Sequence, residues 1–134
     1  MLEEQNIMPG IDFSRKRASV LIHQSTVRAL GHPRYIRILC NEKRKRMAIQ
    51  VCAVKESGAI KVPKGRGKPR PFLLSSLLVQ AQIWNICGWG RNGNYRIIGV
   101  IHPQQELVEF DLTKATPISD EMFSDPEGPA PKGK

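Results

Sequence analysis

Short runs of apolar residues, most of them alternating with polar ones, recur along this chain in a repeated order. "RASVLIHQ" (17–24) is apolar-rich and predicts a strand. "STVRALGH" (25–32) predicts a short helix, with Ser25 available as a cap and Gly31 and Pro33 ending it. "RYIRILC" (34–40) sets Arg34 and Arg37 outward among apolar neighbours and predicts a strand. "NEKRKR" (41–46) predicts a charged turn, and "MAIQVCAV" (47–54) the returning strand of a hairpin. The same order follows from residue 70: strand "RPFLLS" (70–75), then helix "SLLVQAQIWNICG" (76–88), with Leu77, Leu78, Ala81, Trp84 and Ile86 available for burial. A turn at "WGRNGN" (89–94) leads to strand "YRIIGVI" (95–101), turn "HPQQE" (102–106) and strand "LVEFDL" (107–112).

These runs predict a mainly β member of the α+β class, built from two strand–helix–hairpin units. The expected division is an N-terminal arm (1–12), a first unit (13–56), a basic Pro/Gly linker (57–70), a second unit (71–116) and a tail (117–134). Neither unit is large enough to bury its apolar faces alone, so the two are expected to pack together. The tail "TPISDEMFSDPEGPAPKGK" is acidic, then rich in Pro and Gly, and predicts a mobile segment from about residue 117. It reads as an inert terminus or as an acidic arm that competes with DNA for basic side chains.

The first unit, "ASVLIHQSTVRALGHPRYIRILCNEKRKRMAIQV", resembles the DNA-binding repeat of the AbrB/MraZ swapped-hairpin family. In that family a strand ends in a short L-R-x-x-L-G helix followed by a β-hairpin; here "STVRALG" stands at the helix. Two repeats in one chain are more similar to the MraZ arrangement. The resemblance implies an AbrB/MraZ-like pseudo-dimer with interleaved hairpins, and a basic face that reads DNA largely through its shape. Arg28, three positions before Gly31, is the residue that the resemblance sets against the family arginine, which stands four before the glycine in L-R-x-x-L-G. Ala18, Ser19 and His23 depart from the usual Gly, Arg and Pro, which alters the usual contact set.

Charge points the same way. The net charge is +9, but residues 11–103 alone hold eighteen Lys/Arg against three acids, while residues 104–134 hold three against seven. Such an excess attracts polyanions, nucleic acid foremost. Arg15, Lys16 and Arg17, with Arg28, Arg34 and Arg37 and the hairpin-tip cations Lys43, Arg44, Lys45 and Arg46, are the expected phosphate contacts. If about six phosphates are neutralised, log K falls with log[salt] at a slope near −5.

The stretch "KVPKGRGKPRPF" (61–72) adds Lys64, Arg66, Lys68 and Arg70. Its Arg66-Gly67-Lys68-Pro69 resembles the Arg-Gly-Arg-Pro core of an AT-hook, with lysine in place of the second arginine. Glycine lets the backbone lie on the floor of a narrow minor groove while flanking cations follow the negative potential of A·T tracts. Lysine lacks the flat fork of arginine. The stretch is either such an arm or a basic spacer.

Other classes find less in the sequence. His23, His32 and His102 have no acidic partner at catalytic spacing, and no P-loop or GxSxG occurs, so no enzymatic activity is expected. Cys40, Cys52 and Cys87 form no CxxC pair, so neither a metal nor another cofactor is expected, and reduced thiols point to a cytoplasmic protein. The uncharged stretch 71–90 is too polar for a membrane span. Scattered aromatics lack the pairing of an RNA-stacking platform. The leading expectation is a DNA-binding regulator of bacterial or phage type, a pseudo-symmetric monomer or a homodimer, on AT-rich duplex. An acidic protein partner, met as an inhibitor or assembly factor, and RNA are the alternatives.

Overall fold

A computed structural model describes residues 8–54, 56–65, 68–75, 77–89 and 93–126. Among the described residues, two antiparallel five-stranded sheets and two α-helices give a mainly β arrangement of the α+β class. The strands are β1 (Gly10–Ser14), β2 (Ser19–Ile22), β3 (Tyr35–Asn41), β4 (Arg46–Val51), β5 (Ile60–Lys61), β6 (Phe72–Leu74), β7 (Asn94–Ile98), β8 (Val100–His102), β9 (Leu107–Asp111) and β10 (Thr116–Ile118). The helices are α1 (Gln24–Ala29) and α2 (Leu77–Cys87). The first sheet runs β10-β7-β1-β2-β6 and the second β5-β3-β4-β9-β8.

Period-two alternation builds the second sheet. Ile36, Met47, Ile49, Val108 and Phe110 point into the core, and the residues between them face outward. From the first sheet Ile11, Phe13, Val20 and Ile22 meet them, and α2 adds Ile83, Trp84 and Ile86, so one apolar cluster joins both sheets and the helix. The helix presents Ile83 rather than the expected Ala81, which is exposed. Its inward positions follow Gln80, Ile83, Trp84 and Cys87, three and four residues apart.

The two sheets share a nearly continuous strand. β7 lies in the first and β8 in the second, with only Gly99 between them. A Cβ at Gly99 would stand 2.6 Å from Val108 Cγ1 and 2.7 Å from Phe110 Cε1, so glycine is what lets the strand pass close over the core. The Gly99 N–H donates to the Pro9 carbonyl at 2.8 Å, tying the crossing point to the start of β1.

Pairing joins the two expected units rather than separating them. β2, the first strand of one, pairs with β6, the first of the other. The last strands pair likewise, β4 with β9 over Arg46↔Asp111 to Gln50↔Leu107. β1 lies against β7, and β5 against β3.

Several expectations need correction. Residues 10–12, expected in the arm, belong instead to β1, which sits between β2 and β7 with all five of its residues buried. Gly, Asp and Ser within "GIDFS" hide it from a pattern search, because such residues are poor strand formers unless tertiary contacts satisfy them. The linker contributes β5, in register with Tyr35 and Ile36. Helix α1 begins at Gln24 with His23 at the N-cap and no side-chain cap there, so Ser25 does not cap it. Residues 127–134 of the expected tail lie outside the described residues, but residues 117–125 are not loose: β10 pairs with β7 and residues 120–125 are bonded to the body. Acidic and carbonyl groups there find cationic partners, which composition alone cannot reveal.

Candidate nucleic-acid interface

Three basic stretches expected to act together are distributed over three places. The first is a cleft of about 570 Å³ between the C-terminal end of α1, the start of β3 and residues 61–65. Arg34, Lys61, Lys64 and Arg70 line it, with no carboxylate among the lining residues. Val27, Val62 and Pro63 supply apolar wall, and Tyr35 and His32 complete it.

Local backbone chemistry shapes this cleft. Gly31 and His32 both take positive φ, 77° and 62°, and the His32 N–H donates to the Val27 carbonyl at 3.0 Å. That left-handed pair closes α1 and turns the chain into β3. On the other wall the Val62 N–H donates to the Arg34 carbonyl at 2.8 Å, and Lys61 stands in register with Tyr35. The Lys68 N–H then donates to the Gly65 carbonyl at 3.0 Å. Gly65 is buried, and a Cβ there would collide with the Lys68 carbonyl. Arg66 and Gly67, the heart of the AT-hook-like sequence, lie outside the described residues.

The hairpin tip is the second place. Lys43, Arg44 and Lys45 are exposed, and the Arg44 N–H donates to Asn41 Oδ1 at 3.1 Å. The seven residues of β3 separate the tip from the cleft, about 20 Å at ~3.3 Å per residue. Arg46, the first residue of β4, is turned to its neighbour strand instead: Glu109 Oε2 lies 3.2 Å and Asp111 Oδ2 3.8 Å away. Arg37 is likewise engaged, bonding Gln50 Oε1 and lying 3.0 Å from Glu56.

The β1–β2 turn is the third. Arg15 extends over the Trp84 ring, 5.7 Å from its centroid. Lys16 and Arg17 face Asp120 at 3.7 and 3.8 Å, and Arg17 lies 4.7 Å over the Phe123 ring. Arg28 is exposed on α1, and Lys68 is exposed as well.

Thus Arg34, Lys64 and Arg70 converge, while Lys16, Arg17, Arg37 and Arg46 have carboxylate neighbours. Lys61 and His32 belong to the cleft and were missed. Lys61 opens the quoted basic stretch, but only the β3–β5 register brings it beside Arg34.

Beneath the third place lies a buried polar network. Asp12, fully buried, accepts from Arg96 Nε at 2.7 Å and Nη2 at 3.0 Å and shares a 2.9 Å hydrogen bond with His23 Nε2. The Asp12 bonds hold the Arg96 guanidinium above its ordinary pKa. Arg96 Nη2 also donates to the carbonyls of Met122 at 2.6 Å and Ser124 at 2.9 Å. Sequence spacing gave no hint of this network, since its members lie on two strands, the N-cap of α1 and a distant segment.

Among the described residues no group of three or more His, Cys, Asp or Glu is placed to hold a metal ion, and no helix is long and apolar enough to cross a membrane. No protein family, curated protein or solved structure matches the chain.

Proposed function

We propose that the protein binds double-stranded DNA, AT-rich duplex foremost, as a small cytoplasmic regulator of bacterial or phage type. The observation that carries this reading is the cleft of Arg34, Lys61, Lys64 and Arg70, four cations with no acidic side chain among its lining residues. Folded proteins ordinarily intersperse the two signs of charge, and a one-sign cleft focuses potential on a polyanion. A sugar-phosphate strand would lie across its mouth, and the tip cations Lys43, Arg44 and Lys45, about 20 Å along β3, would reach phosphates about six steps away at ~3.4 Å each.

The fold supports the reading in one further respect. First strands pair with each other across the two units, and so do last strands. Those pairings are what an AbrB/MraZ-like swapped-hairpin pseudo-dimer within one chain requires, and they favour a monomer as the binding unit.

Fluorescence anisotropy on AT-rich and GC-rich duplexes across a salt series tests the proposal. The four cleft cations predict a slope of log K against log[salt] of about −3.6, steeper if the tip also engages. Arg34→Ala, Lys61→Ala or Arg70→Ala should each flatten it by about one, whereas Arg37→Ala should not. No binding to either duplex at about 50 mM salt defeats the proposal.

A further inference from the structure

Residues 119–125 lie over a basic patch that the cleft does not include. Asp120 bonds Asn94 Nδ2 at 2.6 Å and faces Lys16 and Arg17 at 3.7 and 3.8 Å. A cavity of about 380 Å³ opens there, lined by Lys16, Gly93, Asn94 and Asp120. The same segment sets Phe123 beneath the Arg17 guanidinium and hands two carbonyls to Arg96. Asp125, itself buried, accepts from the Gln24 N–H at 2.7 Å. An acidic segment of the chain therefore rests where one lysine and one arginine side chain, an amide and a cavity converge.

We infer that Lys16, Arg17 and Asn94 form a second phosphate-binding site, occupied in the free protein by the Asp120 carboxylate and opened to a DNA strand when that carboxylate leaves.

The energetics favour exchange over permanent closure. The Asp120, Lys16 and Arg17 side chains retain 54%, 71% and 41% of their exposure, and exposed ion pairs of this kind contribute little and weaken with salt. Met122 is half exposed, so apolar burial adds little at this point. The firm anchors flank Asp120: β10, which ends at Ile118 opposite Asn94, and residues 122–125, held by Arg96 and the N–H of Gln24. The exposed Asp120 side chain can thus rotate away while both flanking stretches stay attached. A phosphate offers the acceptor oxygens and negative charge that Asp120 supplies, with the rest of a polyanion behind it. The inference rests on the DNA-binding reading and adds a site to it.

Asp120→Asn removes the charge at an exposed position. In duplex titrations this variant is expected to bind roughly fivefold or more tightly than the parent at about 0.1 M salt, with a slope steeper by about 1.8 for two added phosphate contacts. Adding Lys16→Ala and Arg17→Ala should cancel the gain, while the same two changes in the parent should alter affinity less than twofold. Circular dichroism confirms that each variant is folded. If the parent binds DNA and Asp120→Asn matches it in affinity and slope, the second site is refuted and the DNA reading stands. If neither form binds duplex at low salt, both fall together. A gain that survives removal of Lys16 and Arg17 also overturns the assignment.

Discussion

Asp12 and Arg96 stand directly opposite each other on β1 and β7 and are joined by two hydrogen bonds, Nε to Oδ1 at 2.7 Å and Nη2 to Oδ2 at 3.0 Å. The carboxylate is fully buried, and its remaining partner is the equally buried His23. This pair joins the strand that the pattern missed to the strand that crosses between sheets, and it also reaches the segment covering Lys16 and Arg17.

Removing one member leaves the other stranded. Arg96→Met is expected to destabilise the fold by about 3–5 kcal/mol, because an uncompensated buried carboxylate remains. Replacing both residues with apolar ones, Asp12→Leu with Arg96→Met, should cost less than the sum of the single changes. Urea unfolding of the three variants measures this directly; additive losses would refute the coupling.

Gly99 sets how closely the shared strand approaches the core. Gly99→Ala places a methyl group against Val108 and Phe110, so a loss of about 1–3 kcal/mol is expected from overpacking. Ala81→Gly on the exposed side of α2 would cost less, about 1 kcal/mol from helix propensity. Thermal melts of the two variants side by side distinguish a packing limit from a general sensitivity to substitution.

Gly65 is a buried part of the wall of the basic cleft. Gly65→Ala must move the Lys68 carbonyl, displacing Arg70 from the wall with it. The expected result is a several-fold fall in duplex affinity with a shift of only a few degrees in melting temperature, roughly that of a 1 kcal/mol change. Unchanged affinity would show that the wall at Gly65 does not shape the contact.

Burial raises the Cys87 thiol from 9.0 to about 11, and nearby Lys45 opposes part of that rise. At pH 8 its thiolate is about a hundredfold scarcer than that of a thiol left at 9.0, so alkylation of Cys87 should be slow by about that factor. Lys45→Met should slow it further. Because the folded-state value is raised, the stability contribution is complete below pH 9.0 and is lost as pH rises towards about 11. Mass spectrometry of iodoacetamide-labelled peptides across this range follows the titration. Rapid labelling of Cys87 at pH 8 would contradict its burial.

Where alternation is strong, the elements are legible in the sequence. "RYIRILC" and "MAIQVCAV" become β3 and β4, and "LVEFDL" becomes β9, since one face of each is buried and the other meets water. "GIDFS" is illegible for the opposite reason: every one of its residues is buried, and Asp12 is tolerated only because Arg96 and His23 arrive from elsewhere. The basic residues were visible one by one, but their grouping was not. Arg34 and Arg70 are 36 positions apart and share a cleft, while Arg34 and Arg37 are three apart and only Arg34 lines it.

By itself the sequence determined a small, mainly β protein, a strongly basic body with acids concentrated towards its end, and a repeated order of elements. These follow from local periodicity and composition, which act between near neighbours. Tertiary structure decided which cations share a surface and which meet a carboxylate. Strand register and the return of residues 119–125 set distances between groups far apart in sequence, and electrostatic attraction depends on those distances, not on order along the chain.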